Sequence, residues 1–221
     1  MANELLLSLR EKVDPRHAAM VVVDMQNDFC AEGGFFHQTG QDLSLIQPMV
    51  PNLVQFIEHG RRVGLPIVFI QAIYDDIYLS APMRERNRRK GWERPRLVTG
   101  SWGADFYLVK PHQRDLVVIK HRYSSFAGTE LDILLRNLAV KSLIMTGVAT
   151  NVCVESTARD GYFLNYYIVL VEDCCATTSQ SLHRATLANI DENFGVVCTA
   201  PEVVDAWDSA EPAGGSATVG S

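Results

Sequence analysis

Nothing in this sequence approaches the roughly 18 consecutive apolar residues of a membrane-spanning helix, so no membrane partner is expected. Charge of one sign is also scarce. Lys and Arg total 20 against 26 Asp and Glu, a net −6. Such a balance supplies no global field for nucleic acid or an anionic membrane. Cysteine is limited to five residues, Cys30, Cys153, Cys174, Cys175 and Cys198. They are odd in number and never spaced CxxC, so a disulfide framework is not expected and a cytoplasmic setting is. The adjacent Cys174-Cys175 pair reads as two buried thiols. There is no GxGxxG, no Walker pattern and no HExxH. The six histidines show no ligand spacing, and neither a metal nor a cofactor is expected. The N-terminal stretch MANELLLSLREKVD lacks the long apolar stretch and cleavage site of a signal peptide.

What is present is a 47% hydrophobic chain in which short apolar runs alternate with helical spacing. The runs at 19–25, 65–73, 115–120, 141–147 and 166–173 are continuous and rich in β-branched residues, as buried strands are. The segments 49–64, 129–140, 151–164 and 179–194 carry apolar residues at helical intervals. Thr129 with Asp132 suggests a capping box, Gly64 and Gly161 suggest helix ends, and Gly33-Gly34 a turn. The pattern predicts one doubly wound α/β domain over 1–208, its mostly parallel sheet covered by helices on both faces. Residues 209–221, rich in Gly, Ala and Ser, read as a flexible tail. One connection is unusual. Residues 74–114 far exceed the usual loop of about two to six, and they contain the basic stretch MRERNRRKGWERPRL. That stretch is either a solvated excursion or oligomer contact, or a lid whose Arg84, Arg86, Arg88, Arg89, Arg94 or Arg96 reaches an anionic substrate.

Parallel α/β sheets bind ligands at the carboxyl ends of their strands. Asp24 closes the first run, Lys120 closes the third, and Cys153 follows the fourth in the first turn of a helix. A helix dipole and an ammonium both favour thiolate, and a carboxylate can carry the proton. This predicts a thiol that alkylates well below the ordinary value of about 8.5. Each residue also has an inert reading: a small buried hydrophobe, a loop acceptor, a solvated lysine. A non-catalytic binding protein on the same fold therefore stands as the alternative.

The strings VVVDMQNDF around Asp24, KHRYSSFAGTELD from Lys120 and TGVATNVCVESTARDGYF around Cys153 resemble the isochorismatase-like cysteine hydrolases. The resemblance runs from about residue 17 to 206, with the motifs in the family's order. Gly100-Ser101-Trp102, the K-x-R-Y-S of 120–124 and ATNVCVEST at 149–157 look most like the family's ureidoacrylate amidohydrolases. The resemblance implies Cys153 as nucleophile, Asp24 as general base and acid, and Lys120 as the cation holding both. It implies a cis peptide between Val148 and Ala149, with the Ala149 and Cys153 N–H groups as oxyanion hole. It places Tyr123 against substrate, with Asn27, Phe29 and Trp102 as pocket walls. After the second strand, where those enzymes carry Gln-Asn-Gly-Trp, this chain has Gln71-Ala72-Ile73-Tyr74, which makes Gln71 and Tyr74 further candidates. The activity implied is hydrolysis of a small ureido or carbamoyl compound through a thioester, with biuret or triuret as alternative substrates and a homodimer or homotetramer as the assembly.

Overall fold

The computed structural model describes residues 5–209. The segment 210–221, most of the expected tail, lies outside the described residues. Six strands form one wholly parallel sheet: β1 (Ala18–Val23), β2 (Ile67–Ala72), β3 (Leu116–Lys120), β4 (Ser142–Val148), β5 (Tyr167–Ala176) and β6 (Gly195–Cys198). Their order is β3-β2-β1-β4-β5-β6. The helices are α1 (Leu9–Lys12), α2 (Asn27–Cys30), α3 (Phe35–Gln38), α4 (Val50–Arg62), α5 (Ala81–Arg89), α6 (Leu131–Asn137), α7 (Glu155–Phe163), α8 (Gln180–Asn193) and α9 (Ala200–Asp208). The doubly wound architecture expected from the alternating pattern is the one observed.

Strand β1 is buried along its whole length, and its side chains alternate between two cores. Ala18, Met20 and Val22 pack with Leu53, Phe56 and Ile57 of α4 and Val203 and Trp207 of α9. Ala19, Val21 and Val23 pack with Leu131 and Leu135 of α6, Ala158 of α7 and Ile190 of α8. Period-two alternation thus feeds two apolar layers, which is why the strand reads as an unbroken hydrophobic run. Trp207 ties α9 down. Its ring stacks on Phe56 at 5.4 Å, and its indole N–H donates to the Val13 carbonyl at 2.7 Å.

Three expectations need correction. Strand β3 is an edge strand, not a buried one: Val118 and Lys120 point inward while Val117 and Ile119 are exposed. Thr129 and Asp132 form no capping box. Thr129 Oγ1 donates to the Ser125 carbonyl at 2.5 Å and accepts from Leu131 N, while Asp132 pairs with Arg136 and Tyr166. Gly161 lies within α7, where a Cβ would meet Leu143 Cδ1 at 2.9 Å, so it is a packing glycine. The short β6 and helix α9, capped by a Thr199–Glu202 box, were not legible as elements. By contrast Gly64 does end α4, at φ +77°. Among the described residues no helix is long and apolar enough to cross a membrane.

Candidate active site

Strands β1 and β4 lie side by side, and from them the chain winds outward in opposite directions, β2-β3 to one side and β5-β6 to the other. The carboxyl ends of β1 and β4 therefore frame the crevice where such sheets accept ligands. Val23 is in register with Gly147, so Asp24 leaves β1 beside the Val148–Ala149 peptide, which is cis. Gly147 has φ +100°, and a Cβ there would stand 2.1 Å from the Val23 carbonyl oxygen. Only glycine permits that approach of the two backbones. Asp24 itself has φ +51°, which turns its side chain back over the strand ends.

Lys120 arrives from the other direction. Its residue pairs with Ala72 in the β2–β3 register, and its side chain runs through the interior to reach Asp24. The Nζ lies 2.8 Å from Asp24 Oδ2, and it also donates to the Tyr123 carbonyl at 2.6 Å. Both side chains are wholly buried. Cys153 completes the group from a π-helical turn (150–154) that leads into α7, and its thiol lies within electrostatic reach of both Asp24 and Lys120. Such widened turns recur at functional sites because they re-aim one side chain within a helix. Thr157 Oγ1 fixes the turn by donating to the Cys153 carbonyl at 2.7 Å and accepting from Ser125 N.

Burial dominates the electrostatics. It raises the Asp24 carboxyl above the usual carboxylate range, with the Lys120 ammonium pulling the other way. For Lys120 burial acts to lower the pKa, but the charges of Asp24 and Cys153 outweigh it and raise the value overall. Burial and then the Asp24 charge push the Cys153 thiol up to about 12, against the pull of Lys120. The expectation of a low thiol pKa is thus overturned. An enclosed sulfur beside a carboxylate holds its proton, whatever the helix end contributes. The resting group is therefore a neutral thiol against an ion pair.

Above the thiol opens a pocket of about 240 Å³. Of the residues expected around it, Phe29, Tyr74, Tyr123 and Ala149 line it together with Cys153. Asn27, Gln71 and Trp102 do not. Asn27 Nδ2 donates to the Trp102 carbonyl at 2.8 Å, and Gln71 Nε2 to the Ala104 carbonyl at 2.9 Å, so both amides tie down the 102–104 turn. Trp102 is 53% exposed and is not part of the pocket lining. Phe35 and Phe36 on the wall were not foreseeable from sequence, because their short helix α3 has no readable period. Of the six arginines in the basic connection, Arg86 and Arg96 reach the pocket, with Lys90 and Trp92 beside them. Among the described residues no three His, Cys, Asp or Glu side chains cluster as a metal would require.

A crevice at the sheet's switch point, holding a carboxylate, an ammonium and a thiol, marks an α/β protein with its candidate ligand site at the strand ends. The family model for the isochorismatase domain matches residues 18–202, and the chain belongs to that family. It is 38% identical to the ureidoacrylate amidohydrolase RutB of Enterobacter sp. (strain 638) over 211 residues, 87% of this chain and 90% of the relative. Among solved structures it resembles a cysteine hydrolase from Pseudomonas syringae pv. phaseolicola 1448A, with TM-score 0.77 and 26% identity over 96% of this chain and 100% of that one. It also resembles the N-carbamoylsarcosine amidase of Thermoplasma acidophilum, with TM-score 0.64 and 28% identity over 83% of this chain and 96% of the other.

Proposed function

We propose that this protein is a cofactor-independent cysteine amidohydrolase that cleaves a C–N bond of a small linear ureido or carbamoyl compound. The observation that carries this reading is the wholly buried Asp24–Lys120 ion pair set against the Cys153 thiol at the foot of a pocket. A buried ion pair of this kind is often no more stable than apolar residues of the same volume, so its retention favours a chemical use. The names of the relatives, ureidoacrylate amidohydrolase and N-carbamoylsarcosine amidase, support the same substrate class.

In this reading Asp24 takes the thiol proton as sulfur attacks the carbonyl carbon, so no free thiolate has to accumulate. Its raised pKa suits it to the task, since a carboxylate well below neutrality would be a poor base and a reluctant acid. The developing oxyanion is held by the backbone N–H groups of Ala149 and Cys153. Collapse breaks the C–N bond, and Asp24 returns its proton to the departing amine or ammonia. The product on the enzyme is a thioester, an S-carbamoyl group in the case of a ureido carbonyl. Asp24 then deprotonates water, which attacks that carbonyl and frees the acid and the thiol. Lys120 keeps Asp24 ionised between these steps.

The test is ammonia release from ureidoacrylate, biuret, triuret, N-carbamoyl amino acids and nicotinamide, with the wild type and Cys153→Ser side by side. The expected result is turnover of a ureido or carbamoyl compound that falls at least about 10³-fold in the serine variant, since its alkoxide is far scarcer than a thiolate. Mass spectrometry of acid-quenched enzyme should find the acyl group on Cys153. Absence of turnover with every compound, or a serine variant retaining a tenth of the activity, overturns the reading.

A further inference from the structure

The pocket's most unusual member is Arg96. It is only 8% exposed, yet among the described residues it makes no ion pair with a carboxylate. Its guanidinium is clamped between two aromatic faces, with Phe35 at 4.7 Å and Tyr74 at 5.6 Å. Two protein acceptors fix it in plane: Asn87 Oδ1, itself buried, at 2.9 Å and the Trp92 carbonyl at 3.2 Å. Most of its donor capacity has no protein acceptor. Arg86 stands next to it, stacked on Trp92 at 4.7 Å and near Tyr123 at 5.7 Å, and is likewise without a carboxylate partner. Asp28 is the acid within Coulombic reach of Arg96, but its two oxygens accept from Phe35 N at 3.0 Å and Leu97 N at 2.6 Å. Two neighbouring arginines do find carboxylates, Arg84 with Asp76 and Arg89 with Glu85, both at the surface.

An independent observation points the same way. Among the described residues the buried Tyr74 hydroxyl has no hydrogen-bond partner, and Tyr74 lines the pocket at 5% exposure. It lies within electrostatic reach of both Cys153 and Arg96, so it connects the reacting sulfur to the guanidinium. A buried hydroxyl without a partner is costly, and so is a desolvated cation without an anion. Both costs are relieved together by one ligand group that accepts hydrogen bonds and carries negative charge.

We propose that Arg96, Arg86 and the Tyr74 hydroxyl form a carboxylate subsite, so that the compound cleaved is a ureido acid and not a neutral ureide. The proposal rests on the amidohydrolase reading only for where the other end of the molecule lies, with its carbamoyl carbon at Cys153. The planar guanidinium of Arg96 accommodates a carboxylate bidentately, a geometry a lysine would not reproduce.

The subsite is tested by binding, without turnover, on Cys153→Ala protein. The probes are (Z)-3-ureidoacrylate and its uncharged methyl ester, measured by calorimetry. The acid should bind at least tenfold more tightly than the ester. Arg96→Gln should bring the two to within about twofold, and Arg96→Lys should restore only part of the preference. Arg86→Gln, at a partly exposed position, should narrow it without risk to folding. Arg84→Ala, outside the pocket, should leave it unchanged. Equal affinity for acid and ester, failure of both to bind, a preference that survives Arg96→Gln and Arg86→Gln, or an equal loss in Arg84→Ala overturns the subsite. If the acid preference depends on Arg96 while the wild type hydrolyses neither probe, the subsite stands and the amidohydrolase reading falls.

Discussion

At Cys153 the decisive quantity is the thiol's proton affinity, and its causes are separable. The Asp24 charge raises it and the Lys120 charge lowers it. Asp24→Asn should therefore move the midpoint of iodoacetamide alkylation down from about 12, while turnover stops because the amide neither accepts nor returns a proton. A midpoint that rises or stays fixed in that variant would remove Asp24 from the thiol's surroundings. In the mechanism proposed above Asp24 also sets the acid limb of the rate profile. The base must be ionised, and burial raises its pKa. Activity should thus fall as pH drops through a value above the usual carboxylate range of about 3.9, and a limb below pH 4 would contradict it. Lys120→Met leaves a buried carboxylate unpaired, which costs about 3–5 kcal/mol and should show in urea unfolding.

Among the elements, the β1–β4 junction is the least tolerant. Any side chain at Gly147 would press on Val23 of β1, and φ +100° is itself strained for other residues. Gly147→Ala should cost about 3 kcal/mol, or roughly 6–12 °C in Tm, with activity lost alongside. A variant as stable as the wild type would show that the two backbones can part freely. Loop anchoring matters as much as strand register. Asp28, just past β1, accepts from Phe35 N and Leu97 N and so joins α2, α3 and the 97–104 segment around the pocket. Gln26 does the same from the interior, its side chain bonded to Ala72 N and to the carbonyls of Ala72 and Ala104. These polar side chains hold the scaffold, as Asn27 and Gln71 also do.

Over the whole molecule all five cysteines are buried and unbridged, and burial raises every one above the ordinary thiol value. A folded-state pKa above the unfolded value gives stability that is complete below about 9 and is lost as pH climbs toward the folded value. Cys153 and Cys198, both at about 12, lose theirs between those limits. Lys120, also raised, adds to the decline with the same sign. Each such group removes up to about 1.4 kcal/mol per pH unit in that window. The urea midpoint should therefore hold steady from pH 7 to 8.5 and fall steeply by pH 10.5. A flat response across that range would show the thiols to be less enclosed than they are in the fold.

The sequence by itself determined the alternation of strand and helix, the parallel sheet, and the three motifs that mark the family, because hydrophobic period and local strings are written along the chain. It brought Asp24, Lys120 and Cys153 to strand ends, since a strand's terminus is a local property. It did not reveal the edge position of β3, because strand order, and what covers the face that carries Val117 and Ile119, are set by how distant segments pack. Nor did it tell Arg86 and Arg96 from the four other arginines of their segment, or Tyr74 from Gln71 three residues before it. The direction of the thiol's pKa shift also came out opposite to what helix position suggested. Those outcomes depend on enclosure and on which side chains meet across the fold, and desolvation is a property of the packed volume that no single stretch of residues carries.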